Sequence, residues 1–153
     1  MITDQVCLET LYETACRVLE TAAFALAELA TEDDEFEPPQ RGCLAQVVMS
    51  GDLECLLTVA APLELCCVLF ADILGIDLDE MNCDESTQQQ VADMLGEMAN
   101  IMAGQFATDV LGEQAVVHLR PPRTRLLDQA LWTEISNLAA SRLLVIDQQP
   151  LLI

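Results

Sequence analysis

The chain has 153 residues, with 26 Asp and Glu against six positive side chains, all of them Arg, for a formal net charge of −20. That balance argues against a phosphate backbone or an anionic membrane as partner, since both are held by clustered Lys and Arg and the only cluster here is Arg120, Arg123 and Arg125. The 52% apolar residues argue against disorder, which leaves a folded acidic domain with one core over residues 1–153 as the default at this length.

From Thr3 to about Ala30, apolar residues recur at Leu8, Leu11, Tyr12, Ala15, Val18, Leu19, Ala22, Leu26 and Leu29, which predicts one long amphipathic helix. The acidic run from Thr31 to Pro39 ends in two prolines and reads as a loop. Two β-rich runs follow, Cys43 to Met49 and Leu53 to Ala60. Between them Ser50-Gly51-Asp52 offers a glycine that can take the positive φ of a tight hairpin. Pro62 and Gly75 then bracket a short apolar helix, Leu63 to Leu74. After an acidic loop, Ser86-Thr-Gln-Gln89 has the form of a capping box and opens a second long helix running to about Leu111, with Gly112 as its stop. Gln114 to Leu119 reads as a strand broken by Pro121-Pro122, and Arg142 to Asp147 is strand-like. Leu131 to Leu138 suits a helix or a strand, because periodicity does not separate the two. The order predicts an α+β fold in two layers, long helices packed on an antiparallel sheet.

The acidity is lopsided, with 19 acids and two Arg in residues 1–85 but seven acids and four Arg in residues 86–153. A solvated face and a steering field are both consistent with it. The seven Cys are odd in number and show no Cys-x-x-Cys spacing, and His118 is remote from them, so buried reduced thiols are expected and no metal. His118 and Trp132 are expected to pack. The N-terminus lacks the basic and apolar segments of a secretory signal, and Leu65 to Ala71 is too short to span a bilayer. A soluble protein of a reducing cytoplasm is expected.

On a wheel at about 100° per residue, the second long helix separates three stripes. Val91, Leu95, Met98, Met102 and Phe106 form an apolar ridge. Ala92, Gly96, Ala99, Ala103 and Ala107 form a small-residue stripe where another backbone can approach. Asp93, Glu97, Asn100 and Gly104 lie opposite the ridge within a sector about 60° wide. Spacing alone leaves these polar residues open to a bland reading, a face that meets water. With 14 Glu and three Asn, about 0.3 chance copies of Glu-x-x-Asn are expected, and a second copy stands at Glu134 and Asn137, without an Asp or Ser four residues before its Glu. It is read as coincidence.

The string Asp93-Met-Leu-Gly-Glu97-Met-Ala-Asn100-Ile101-Met-Ala-Gly104 resembles the motif of the CheC/CheX/FliY chemotaxis phosphatases: Asp or Ser, three residues, Glu, two residues, Asn, usually with Ile and Gly following. The order of elements resembles the CheX branch over nearly the whole chain, and this resemblance favours a strand at Leu131 to Leu138 and a closing hairpin. No Glu of the first helix is followed by Asn at the third position, so one site per chain is implied, as in CheX.

The resemblance implies a phosphatase acting on the aspartyl phosphate of a CheY-like receiver domain. Glu97 and Asn100 would be the catalytic residues, with Asp93 and Gly104 supporting the motif. It implies no cofactor on this chain, Mg²⁺ on the receiver, and a homodimer joined through the sheets. A non-catalytic receiver-binding module of the same fold is the competing expectation.

Overall fold

The structure, a computed structural model, describes residues 4–153; Thr3, the predicted start of the first helix, lies outside them. Helix α1 (Asp4–Ala23) buries Thr14, Ala15, Val18, Leu19 and Ala23 as the amphipathic pattern requires. It stops at Ala23 rather than Ala30. Phe24 takes the left-handed conformation with φ 56°, and the Ala25 N–H folds back on the Leu19 carbonyl at 3.1 Å, which ends the helix there. The chain then extends into β1 (Glu28–Leu29), paired with Val145 and Leu144. Leu26 and Leu29, which continue the helical period, are 75% and 50% exposed, so strand pairing and the left-handed stop override that period.

The hairpin forms as predicted, with a longer first arm, β2 (Arg41–Gly51), and a second arm shifted two residues toward the C-terminus, β3 (Cys55–Pro62), in register from Met49 opposite Cys55 to Gly42 opposite Pro62. Gly51 turns the chain at φ 106°. Helix α2 (Leu63–Leu74) has the predicted bounds, after Pro62 and before a left-handed Gly75. A single 3-10 turn, Leu78–Glu80, occupies the acidic loop. Helix α3 (Glu85–Leu111) starts before the Ser86 box, because Asp84 caps it: its carboxylate accepts from the Thr87 N–H at 2.8 Å. Gly112 follows its last residue, as expected.

In the C-terminal third, β4 (Val117–Leu119) pairs with Met49 to Gly51, and the Arg120 N–H still reaches the Val48 carbonyl at 3.0 Å. Pro121 and Pro122 then have no N–H to give. Pairing with β2 resumes in β5 (Arg123–Asp128), a strand the sequence did not disclose. The two pieces thus form one interrupted outer strand. Leu131 to Leu138, for which the resemblance favours a strand, is instead mostly helix α4 (Gln129–Ser136), capped by the Asp128 carboxylate accepting from the Leu131 N–H at 2.9 Å. Leu131, Trp132 and Ile135 use the helical spacing to pack on Leu44, Ala60, Leu127 and Leu152. The closing hairpin joins β6 (Leu143–Ile146) to β7 (Gln149–Leu152) through Asp147 and Gln148, both left-handed at φ 48° and 65°, as a two-residue turn of type I′ demands.

All pairings in the seven-stranded sheet are antiparallel, in the order β1-β6-β7-β3-β2-β4, with β5 also on β2. Alternation along β2 assigns its two faces. Cys43, Ala45, Val47 and Met49 enter the main core under α1, α2 and α3, while Leu44 joins the smaller cluster under α4. One polar tie fastens α1 to α3: Asp109 accepts from Thr14 Oγ1 at 2.6 Å and from Gln105 Nε2 at 3.0 Å, and it forms an ion pair with Arg17. Burial pushes the Asp109 carboxyl up, but the hydrogen bonds from Thr14, Gln105 and Arg17 outweigh it and hold the group below the usual carboxylate range.

Trp132 is buried as expected, but His118 stands exposed on β4, opposite Ser50. All seven Cys are free; Cys43, Cys66 and Cys67 are buried, while Cys55 and Cys83 are exposed against expectation. No helix among the described residues is long and apolar enough to cross a membrane.

Candidate active site on helix α3

The three stripes of α3 meet three different environments. Val91, Leu95, Met98, Met102 and Phe106 are all buried in the main core. The small-residue stripe lets the interrupted outer strand approach. At Gly96 a Cβ would stand 2.7 Å from Thr124 Cγ2 and 3.3 Å from Pro122 Cβ, so any side chain there pushes β5 away. At Gly104 a Cβ would meet only Leu119 Cδ1 at 3.7 Å, ordinary contact. The fourth motif position therefore keeps a low profile beside Asn100 without being sterically obliged to be glycine.

On the third stripe, Asp93 and Glu97 are exposed and Asn100 and Gly104 are half-buried, one helical face holding all four. Asp93 is occupied: its Oδ1 accepts from Gln89 Nε2 at 2.9 Å and from Thr124 Oγ1 at 3.2 Å, binding α3 to β5. Glu97 and Asn100 are not. Among the described residues neither side chain has a hydrogen-bond or ionic partner, so a carboxylate and a neutral amide one turn apart are both available to something outside the chain. No group of three His, Cys, Asp or Glu that could hold a metal occurs among the described residues. What this face offers is hydrogen bonding: two acceptor oxygens and a charge from Glu97, and a donor with an acceptor from Asn100.

Sequence reasoning did not find Thr124 or Pro122, the residues that seat α3 against the sheet. Both are distant in sequence and lie in an arginine-flanked segment with little strand signal. The second Glu-x-x-Asn falls on α4 rather than on a strand. There Asn137 is the C-cap residue, its backbone N–H bonded to the Ile135 and Thr133 carbonyls.

Three helices on one face of an antiparallel sheet, with a long central strand hairpinned to its neighbour, define the fold of the CheX, CheC-like and FliY proteins. The chemotaxis phosphatase CheX family matches residues 43–145, and the chain belongs to that family. Among solved structures it is similar to CheX in the CheX–CheY–BeF3–Mg²⁺ complex from Borrelia burgdorferi, with 18% identity, coverage of 99% of this chain and 96% of that one, and a TM-score of 0.70. It is also similar to CheX from Vibrio vulnificus, at 13% identity, 95% of each chain and a TM-score of 0.64. FliY from Thermotoga maritima matches at 16% identity, 94% of this chain, 83% of that one and a TM-score of 0.59. No curated protein matches the chain.

Proposed function

We propose that this protein hydrolyses the aspartyl phosphate of a CheY-like receiver domain, with Asn100 positioning the attacking water and Glu97 docking α3 against the receiver. Family membership supports the reaction class, and the Borrelia relative's complex with CheY, in which BeF3 stands in for a phosphoryl group, supports the partner. The observation that carries the reading is the free pair itself: among the described residues Glu97 and Asn100 have no partner, while Asp93, on the same face, is held by Thr124. A side chain kept only for solubility has no need of an amide at that spacing.

In this mechanism the receiver supplies Mg²⁺ and the phosphoryl group, so α3 need only fix the geometry of attack. An amide suits that role because it takes no proton at neutral pH. Its oxygen accepts from the water while its N–H₂ donates, and the nucleophile is held in line with the P–O bond. The Glu97 carboxylate pairs with a lysine of the receiver, which fixes the depth to which Asn100 enters. Asp93 takes the supporting role its bond to Thr124 indicates.

The reading includes a cytoplasmic homodimer joined through the sheets; light scattering that returns the mass of one chain at working concentration overturns that part. Activity is tested by adding substoichiometric protein to phosphorylated receivers and following phosphate loss. Multiple turnovers are expected with the cognate receiver. Saturable binding without acceleration establishes the non-catalytic module instead.

A further inference from the structure

Two thiols outside the candidate active site stand 3.2 Å apart: Cys67 Sγ on α2 and Cys83 Sγ in the segment leading to the α3 cap. Their surroundings differ. Cys67 is 6% exposed within the main core, whereas Cys83 is exposed. Both line an open cleft of about 760 Å³ shared with Arg41, Glu64 and Leu78. Two of its lining residues are tied together, since Gln88 donates to the Cys83 carbonyl at 3.0 Å and accepts from Arg41 at 2.6 Å. The other close pair on α2 is different in kind: Cys66 and Cys43 are both 0% exposed, so nothing dissolved reaches them.

We infer that Cys67 and Cys83 form a reversible disulfide, made by a hydroperoxide that reaches Cys83 through the cleft. The Cys83 sulfur attacks a peroxide oxygen and the O–O bond breaks. One oxygen leaves as water after taking a proton, and Cys83 is left as a sulfenic acid. The Cys67 sulfur then attacks the Cys83 sulfur and the S–O bond breaks. The departing hydroxide takes the Cys67 proton as a second water. Two thiols lose two electrons in total and one hydrogen peroxide becomes two waters. Burial, and then the bond to Cys83, push the Cys67 thiol up to about 12, so Cys67 holds its proton and is the poorer nucleophile toward peroxide; its attack on Cys83 depends on the contact already in place at 3.2 Å. The product staples α2 to the start of α3, the helix that carries Glu97 and Asn100.

The test treats the reduced full-length protein with a small excess of hydrogen peroxide, then counts thiols in denaturant and maps disulfides by mass spectrometry of unreduced peptides. The titratable thiols should fall by two, with Cys67 joined to Cys83 within one chain. Tm should rise by about 6–12 °C, from the closure of the intervening loop, and fall back with dithiothreitol. Cys83→Ser, at an exposed position, should retain the reduced protein's Tm and show neither the Cys67 linkage nor the rise. A sulfinic acid on Cys83 with Cys67 still free, a disulfide mapped elsewhere such as Cys7 to Cys55, or unchanged thiols each overturn the inference.

Discussion

The chain carries two copies of Glu-x-x-Asn on two helices, and their difference shows what a spacing needs before it can serve as a site. Glu97 and Asn100 lie well inside the 27-residue α3, whose opposite side is buried along its length and whose flank is locked to β5 through Gly96 and Asp93. Glu134 and Asn137 lie at the end of the eight-residue α4, which buries only Trp132 fully. Asn137 is the cap residue of that helix and has no helical turn beyond it. A water must be held to a few tenths of an ångström, and a helix terminus frays where a braced helix interior does not. The same spacing thus sits within a braced helix in one place and at the end of a short one in the other.

The sharpest way to break this comparison is Asn100→Ala. Phosphate loss from the cognate receiver should slow by about 10²–10³-fold, the usual cost of one positioned transition-state donor, while receiver binding stays near wild type. A variant with the wild-type rate removes Asn100 from the mechanism. Glu97→Ala should act mainly on docking, raising the half-saturation for phosphorylated receiver about tenfold or more, as loss of one partner of a contact ion pair does; an unchanged half-saturation rules out the anchoring role.

A smaller effect tests the platform. Asp109 is depressed in the folded protein, so its contribution is fully present above the unfolded carboxylate value of about 3.9 and is lost as pH falls through the folded value. Asp109→Asn should therefore lower Tm at neutral pH, with the gap to wild type closing below about pH 4. A gap of constant size across that range shows that the tie is not electrostatic. Least of all should Asn137→Ala matter, with an unchanged rate of phosphate loss and a stability change within about 0.5 kcal/mol. A large loss of rate in this variant makes α4 a second site.

Local chemistry was legible where one or two residues decide an outcome. Pro62 and Gly75 gave both ends of α2, and the spacing of Asp93, Glu97 and Asn100 gave their common face. The end of α1 was not legible, because Phe24 is an unusual residue for a left-handed stop and because the pull on Glu28 and Leu29 comes from β6, more than a hundred residues away. At α4 the residues themselves left helix and strand open, and analogy chose the strand; Asp128 as cap and Trp132 as anchor decide for the helix. Of the candidate site, the unpartnered pair Glu97 and Asn100 could be read in the chain, but its brace could not. Thr124 reaches Asp93 only because the prolines break the outer strand and restart it beside Gly96.

That break also bears on how the domain is made. Met49 pairs with Leu119 and Cys43 with Leu126, so one edge of β2 stays bare while all of α2 and α3 are synthesised, an apolar strand open to any other copy with a free edge. The strand that finally covers it arrives in two short pieces, edged by Arg120, Arg123 and Arg125 and parted by two residues that cannot donate a hydrogen bond. The finished edge offers no continuous ladder to a neighbour. For this edge of β2, the hazard of aggregation is thereby confined to the nascent and refolding chain, before the far third of the sequence has closed over it.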